Sequence, residues 1–81
     1  MELTLTILKP FSVEKIMVDW VSLACVGGSM VVGPGHRPFV NMLAPEGEIL
    51  YRSGGNDSLI EVSEAGGLVY VSDASITLFL H

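Results

Sequence analysis

The sequence predicts an all-β domain, an antiparallel sandwich or barrel. Three observations carry this. Turn signals recur about every eight to twelve residues. The segments between them run short and strand-like, several alternating apolar with polar side chains at period two. No window of helical length shows 3.6-residue periodicity. The chain has 81 residues, enough for one small domain over residues 1–81.

Leu3, Leu5 and Ile7 alternate with Glu2, Thr4 and Thr6, so the chain opens on a strand that Lys9-Pro10-Phe11-Ser12 ends. Val13 to Met17 reads as a short second strand. Val18 to Val26 is the longest strand candidate. Both its faces are largely apolar, which predicts cover on both sides. Gly27-Gly28-Ser29 turns the chain into a short Met30–Val32 strand. Phe39 to Leu43 follows the next turn, and Ala44-Pro45-Glu46-Gly47 stops it. Glu48 to Arg52 and Leu59 to Ser63 form a hairpin around Ser53-Gly54-Gly55-Asn56-Asp57. Leu68 to Val71 and Ile76 to Leu80 close the chain around Ser72–Ser75.

Gly33-Pro34-Gly35-His36-Arg37-Pro38-Phe39 is the organising block. Pro34 fixes its own φ, Gly35 can take positive φ, and Pro38 pushes Arg37 towards an extended conformation. The block is therefore a defined turn with His36 and Arg37 at its tip.

Composition excludes several function classes. Hydrophobic residues make up 49% and charged residues 16%, so the chain is not disordered. Net charge is −5, from nine acids against four bases, with no basic stripe. That argues against nucleic acid and against direct binding to an anionic membrane. A mean hydropathy of +0.55 is high for so small a domain. It implies exposed apolar surface, a partner to cover it, and an isolated domain prone to self-association. Trp20 to Gly35 is uncharged, yet it is shorter than the roughly 20 residues a spanning helix needs, and glycines and Pro34 interrupt it. Met1-Glu2-Leu3-Thr4 has no basic run, so no secretory signal is expected.

Chemistry is sparse. Cys25, the single cysteine, lies in an apolar run and reads as a buried, inert thiol. His36, His81 and Cys25 are too few for a metal site, and no carboxylate pair is spaced as a catalytic dyad. The glycines lack the helix and the Gly-Lys-Ser/Thr ending of a phosphate loop. No cofactor is expected. A turn histidine bonded to nearby backbone is the ordinary reading of His36.

The order of the pieces resembles a family. Leu3-Thr4-Leu5-Thr6-Ile7-Leu8-Lys9-Pro10, then Val18-Asp19-Trp20-Val21-Ser22-Leu23, look like successive strands of the F-type ATP synthase epsilon subunit. Gly28 to Val40 is similar to its Gly-x-x-Gly-x-x-Pro-Gly/Asn-His-Ala-Pro stretch. Gly66-Gly67-Leu68-Val69-Tyr70-Val71 and Ile76-Thr77-Leu78 resemble its last strands. The sequence departs from the pattern at Ser29, Val31 and Gly33, at the insertion-like Glu64-Ala65, and at an extra residue near Glu46-Gly47.

The resemblance implies a small antiparallel β-sandwich of two packed sheets, without the family's carboxy-terminal helical hairpin. It implies a non-catalytic central-stalk subunit of a proton- or sodium-translocating synthase, beside the gamma subunit and the c-ring. Such a subunit meets the membrane only through the complex, at the cytoplasmic face of a bacterial cell membrane. It gives Ser29, His36 and Arg37 a partner-contact role, and Gly28, Pro34, Gly35 and Pro38 a loop-shaping role. Two other readings stand beside it. One is a free-standing sandwich that binds a small molecule or protein, which predicts an enclosed pocket. The other is a small enzyme using His36 with Cys25 or a carboxylate.

Overall fold

A computed structural model describes residues 3–81. The reading of Met1 and Glu2 lies outside them. The described residues form nine strands: β1 (Leu3–Lys9), β2 (Ser12–Val18), β3 (Trp20–Cys25), β4 (Gly28–Val32), β5 (Phe39–Leu43), β6 (Glu48–Ser53), β7 (Asn56–Glu61), β8 (Gly67–Ser72) and β9 (Ser75–Leu80). They lie in two layers. One runs β2-β1-β9-β8-β5, the other β4-β3-β6-β7. All pairings are antiparallel except β1 with β9, the two strands nearest the ends of the chain. A parallel pair needs a crossover, and here the crossover is the whole intervening domain. The sandwich expectation therefore holds, with one parallel pair inside it.

Alternation sets the layers. Leu3, Leu5 and Ile7 of β1 are buried, as are Ile76, Leu78 and Leu80 of β9. They meet Val21, Leu23 and Cys25 of β3 from the other layer in one core cluster. No polar or charged side chain among the described residues is buried. The layers join at one place. Leu43 of β5 pairs with Cys25, and Ile49 of β6 pairs with Leu23, so both strands share one side of β3. Backbone bonds from Val26 N to the Met42 carbonyl (2.9 Å) and from Ala44 N to the Ala24 carbonyl (2.8 Å) complete the joint. On the opposite flank, Ser53 Oγ donates to the Met17 carbonyl at 2.6 Å, tying β6 to β2.

Several details differ from the sequence reading. Val18 ends β2 and is buried; it does not begin β3. The chain turns at Asp19, whose N–H donates to the Arg52 carbonyl at 2.7 Å. The outward face of β3 (Trp20, Ser22 and Ala24) is only half-buried, so this strand is covered on one side. The β6–β7 connection is a two-residue turn, not a five-residue one. Gly54 and Gly55 both take positive φ (58° and 82°), the conformation that a tight type I′ hairpin requires. Ser53 therefore pairs at once with Asn56.

Two glycines separate close approach from open space. A Cβ on Gly67 would lie 2.6 Å from the Phe79 carbonyl oxygen, inside the β8–β9 pairing. A Cβ on Gly33 would meet nothing within 4 Å, and φ there is ordinary. Gly67→Ala is expected to destabilise the domain by about 1–3 kcal/mol, as overpacking does. Gly33→Ala is expected to be neutral or to stabilise by up to about 1 kcal/mol through the unfolded chain. Urea unfolding of the two variants beside the parent measures both.

Candidate functional site

The sandwich has two ends, and the organising block sits at one of them. Pro34 followed by Gly35 at φ +80° is the central pair of a type II turn. Gly35 N donates to the Asp73 carbonyl at 3.1 Å, seating the block on the two-residue turn between β8 and β9. The neighbouring Ala74 carbonyl accepts from Thr4 N at 3.0 Å, so the start of β1 is fixed to the same turn. Ser72 and Ser75 close that turn through their hydroxyls, 2.7 Å apart.

His36 folds back on this support. Its Nδ1–H donates to the Arg37 carbonyl at 2.9 Å. Its ring meets Phe39 edge-on, with centroids 5.2 Å apart and planes at 62°. Phe39 packs against the core, so the histidine is held to the sandwich through it. The other ring nitrogen of His36 faces away from that bond. Arg37 is exposed and forms no ion pair among the described residues. Pro38 links it to the first residue of β5. The block thus offers a ring nitrogen and a fixed cation on a braced loop.

The structure brings His36 and Arg37 together, and it places Ser29 apart from them. Ser29 is exposed near the start of edge strand β4, paired with Ala24. Val32, where β4 ends, lies three residues further, about 10 Å along the strand. Gly27 and Gly28, at φ 96° and 149°, make the β3–β4 connection with open space around them. Ser29, beside the Cys25 end of β3, therefore lies towards the end of the sandwich opposite His36 and does not cluster with it.

Among the described residues, no catalytic set assembles around His36, Arg37 or Ser29. Cys25 is buried at the far end of β3, where burial pushes its thiol pKa up and disfavours the thiolate. His36 and Cys25 are at opposite ends of the sandwich, since Cys25 pairs with Leu43 while the block leads into Phe39. Among the described residues, no three His, Cys, Asp or Glu side chains could hold a metal ion. The ion pair Arg52–Asp57, Nε to Oδ1 at 2.7 Å, bridges β6 and β7 in solvent. The guanidinium hydrogen bond lowers the Asp57 pKa, and the carboxylate raises that of Arg52.

Sequence reading missed one feature. At the end opposite the block, an open apolar groove of about 410 Å³ runs between Val26, Met42, Pro45, Gly66, Leu68 and Phe79. It is a surface groove, not the enclosed pocket that a small-molecule module predicts. The signal available in sequence was the pair of irregular turns that wall it, around Glu46 and Glu64.

His36→Ala removes the ring contact and one hydrogen bond, worth about 1 kcal/mol together. The thermal midpoint is expected to fall slightly with the core intact. Amide exchange is expected to quicken at Arg37 and Phe39 while β1 and β9 keep their protection. Loss of protection throughout the sandwich would contradict this local role.

Comparison with protein-family models and with curated proteins gives no match. Comparison with solved structures does. The chain superposes on a chain in the cryo-EM structure of the Euglena gracilis mitochondrial ATP synthase (OSCP/F1/c-ring, rotational state 1) with a TM-score of 0.87. The match covers 98% of this chain at 24% identity. This chain spans 50% of the length of that one. Residues 3–81 therefore have the fold of half of a chain from that assembly.

Proposed function

We propose that this chain is a non-catalytic, epsilon-type subunit of an F-type ATP synthase. In this reading it sits on the central stalk and couples the gamma subunit to the membrane c-ring. The observation that carries the reading is the superposition over 98% of the chain on a chain of the Euglena assembly. The Pro34-Gly35-His36-Arg37-Pro38 order, at the position where the resemblance expects it, supports the same conclusion.

The work required is mechanical, and the architecture suits it. A rotor element transmits torque through shape, so it needs loops held rigidly rather than groups that react. The backbone bond from Gly35 to Asp73 and the His36–Phe39 contact hold the block to two strands of the core layer. In this reading Arg37 and His36 are the polar groups offered to the c-ring, and Ser29, at the other end of β4, would need a separate contact. The ion that the ring carries is a proton or sodium. The chain is peripheral to the membrane and reaches it through the complex. In a bacterium that is the cytoplasmic face; the matched chain belongs to a mitochondrial enzyme.

Sizing chromatography of the purified chain with the gamma subunit from the same source tests the assignment. A one-to-one complex at micromolar concentration is the expected result. His36→Ala and Arg37→Ala are expected to leave that complex intact and to weaken the coupling of ATP hydrolysis to ion transport in the reconstituted enzyme. A folded chain that never co-elutes with gamma would remove the stalk assignment.

A further inference from the structure

The strand registers reveal an apolar band that the sequence order conceals. Met42 lies opposite Leu68, Leu68 opposite Phe79, Phe79 beside Leu8, and Leu8 opposite Val13. These five residues form one row across the outer face of the β2-β1-β9-β8-β5 layer. Met42 and Val13 are 59% and 63% exposed. The row crosses five strands, about 19 Å at the usual strand spacing. Val40, Tyr70, Thr77, Thr6 and Lys15 form the next row, and Lys15 is the only charge in either.

One end of the band opens into the groove, which His81 also lines, and two glutamates flank that end. Ala44–Gly47 and Ser63–Gly66 are two turns side by side, joined by bonds from Glu46 N to the Ser63 carbonyl (3.1 Å) and from Val62 N to the Gly47 carbonyl (2.9 Å). Pro45 and Ala65 from these turns line the groove, and exposed Glu46 and Glu64 are their neighbours. Glu48 and Glu61 also pair, across β6 and β7, but they alternate with the inward-facing Ile49 and Ile60 and so lie on the outer face of the opposite layer, away from the band. Glu46 occupies left-handed backbone (φ 62°), a strained conformation for a residue other than glycine or asparagine. Both turns fall where the sequence departs from the family pattern it resembles.

We propose that the band and its groove are a docking surface for a basic amphipathic helix of a partner protein. An apolar stripe of about 13 residues spans the row at 1.5 Å per residue. Lysine or arginine at the groove end of the stripe would answer the carboxylates there. A second copy of this chain is the wrong occupant. It carries the same net charge of −5, so the approach of two copies is opposed overall. The inference rests on this surface alone and does not depend on the rotor reading.

Fluorescence polarisation with a labelled Leu/Lys amphipathic peptide, about 14 residues long, tests it against the same peptide with Glu for Lys. The Lys peptide is expected to bind at least about tenfold more tightly, and more weakly as salt rises. Leu68→Ser and Met42→Ser are expected to weaken it about tenfold, and the exposed pair Glu46→Gln/Glu64→Gln about threefold. Leu59→Ser, on the opposite layer and 53% exposed, is expected to change nothing. Equal binding of the two peptides, or an equal loss in Leu59→Ser, would overturn the proposal. So would a homodimer of the chain alone that Leu68→Ser separates in sedimentation. The double glutamine variant alters only exposed turn residues, so it reports on charge even if a band variant fails to fold.

Discussion

The arrangement depends on the hydrogen bonding of β3. Its one side carries β4, and its other side carries two strands in succession, β6 along most of its length and β5 at its end. That single shared side joins the layers. At the joint, Cys25 and Leu43 are buried together with Leu23 and Ile49. Among the described residues, a core of sixteen buried apolar residues with no buried polar side chain tolerates little else, because an unpaired polar group there costs about 1–3 kcal/mol. Without the joint, each layer would expose its apolar inner face, and the block and the groove would lose their fixed separation.

That separation organises the function. The strands run between two ends with different chemistry. One end holds the proline-glycine block, His36 and Arg37, braced on the β8–β9 turn. The other holds the apolar groove and Glu46, Glu48, Glu61 and Glu64. In the proposed reading, rigid strands between them would let the two ends engage different partners without either binding event reshaping the other. The charge pattern of the layers agrees. The outer rows of the β5 layer are almost uncharged, while β6 and β7 display Glu48, Arg52, Asp57 and Glu61.

Much of the fold was legible in the sequence, because period-two alternation is imposed by burial of one strand face. Leu3, Leu5 and Ile7 alternate with polar neighbours and are buried, as are Ile76, Leu78 and Leu80, which share one face of the closing strand. Alternation does not specify which strands are neighbours. The parallel β1–β9 pair and the sharing of β3 are long-range choices, and the band of Met42, Leu68, Phe79, Leu8 and Val13 exists only once those choices are made. Boundaries were misread where turn chemistry is compact. Gly54-Gly55 needs two residues where five were allotted, and Asp19 bends a run that composition alone joins. Within the candidate site, proline and glycine announced the turn at the block. The hydrogen bond that folds His36 onto its own loop depends on where Phe39 is anchored, which no local pattern carries.

A photo-reactive amino acid at position 37, introduced into the chain within the intact enzyme of its source organism, tests the central claim most directly. After illumination, mass spectrometry identifies the residue captured. A rotor subunit whose block meets the ring gives an adduct on the polar loop of a c subunit. An adduct on a protein outside the ATP synthase, or a chain that does not purify with the enzyme at all, would contradict it.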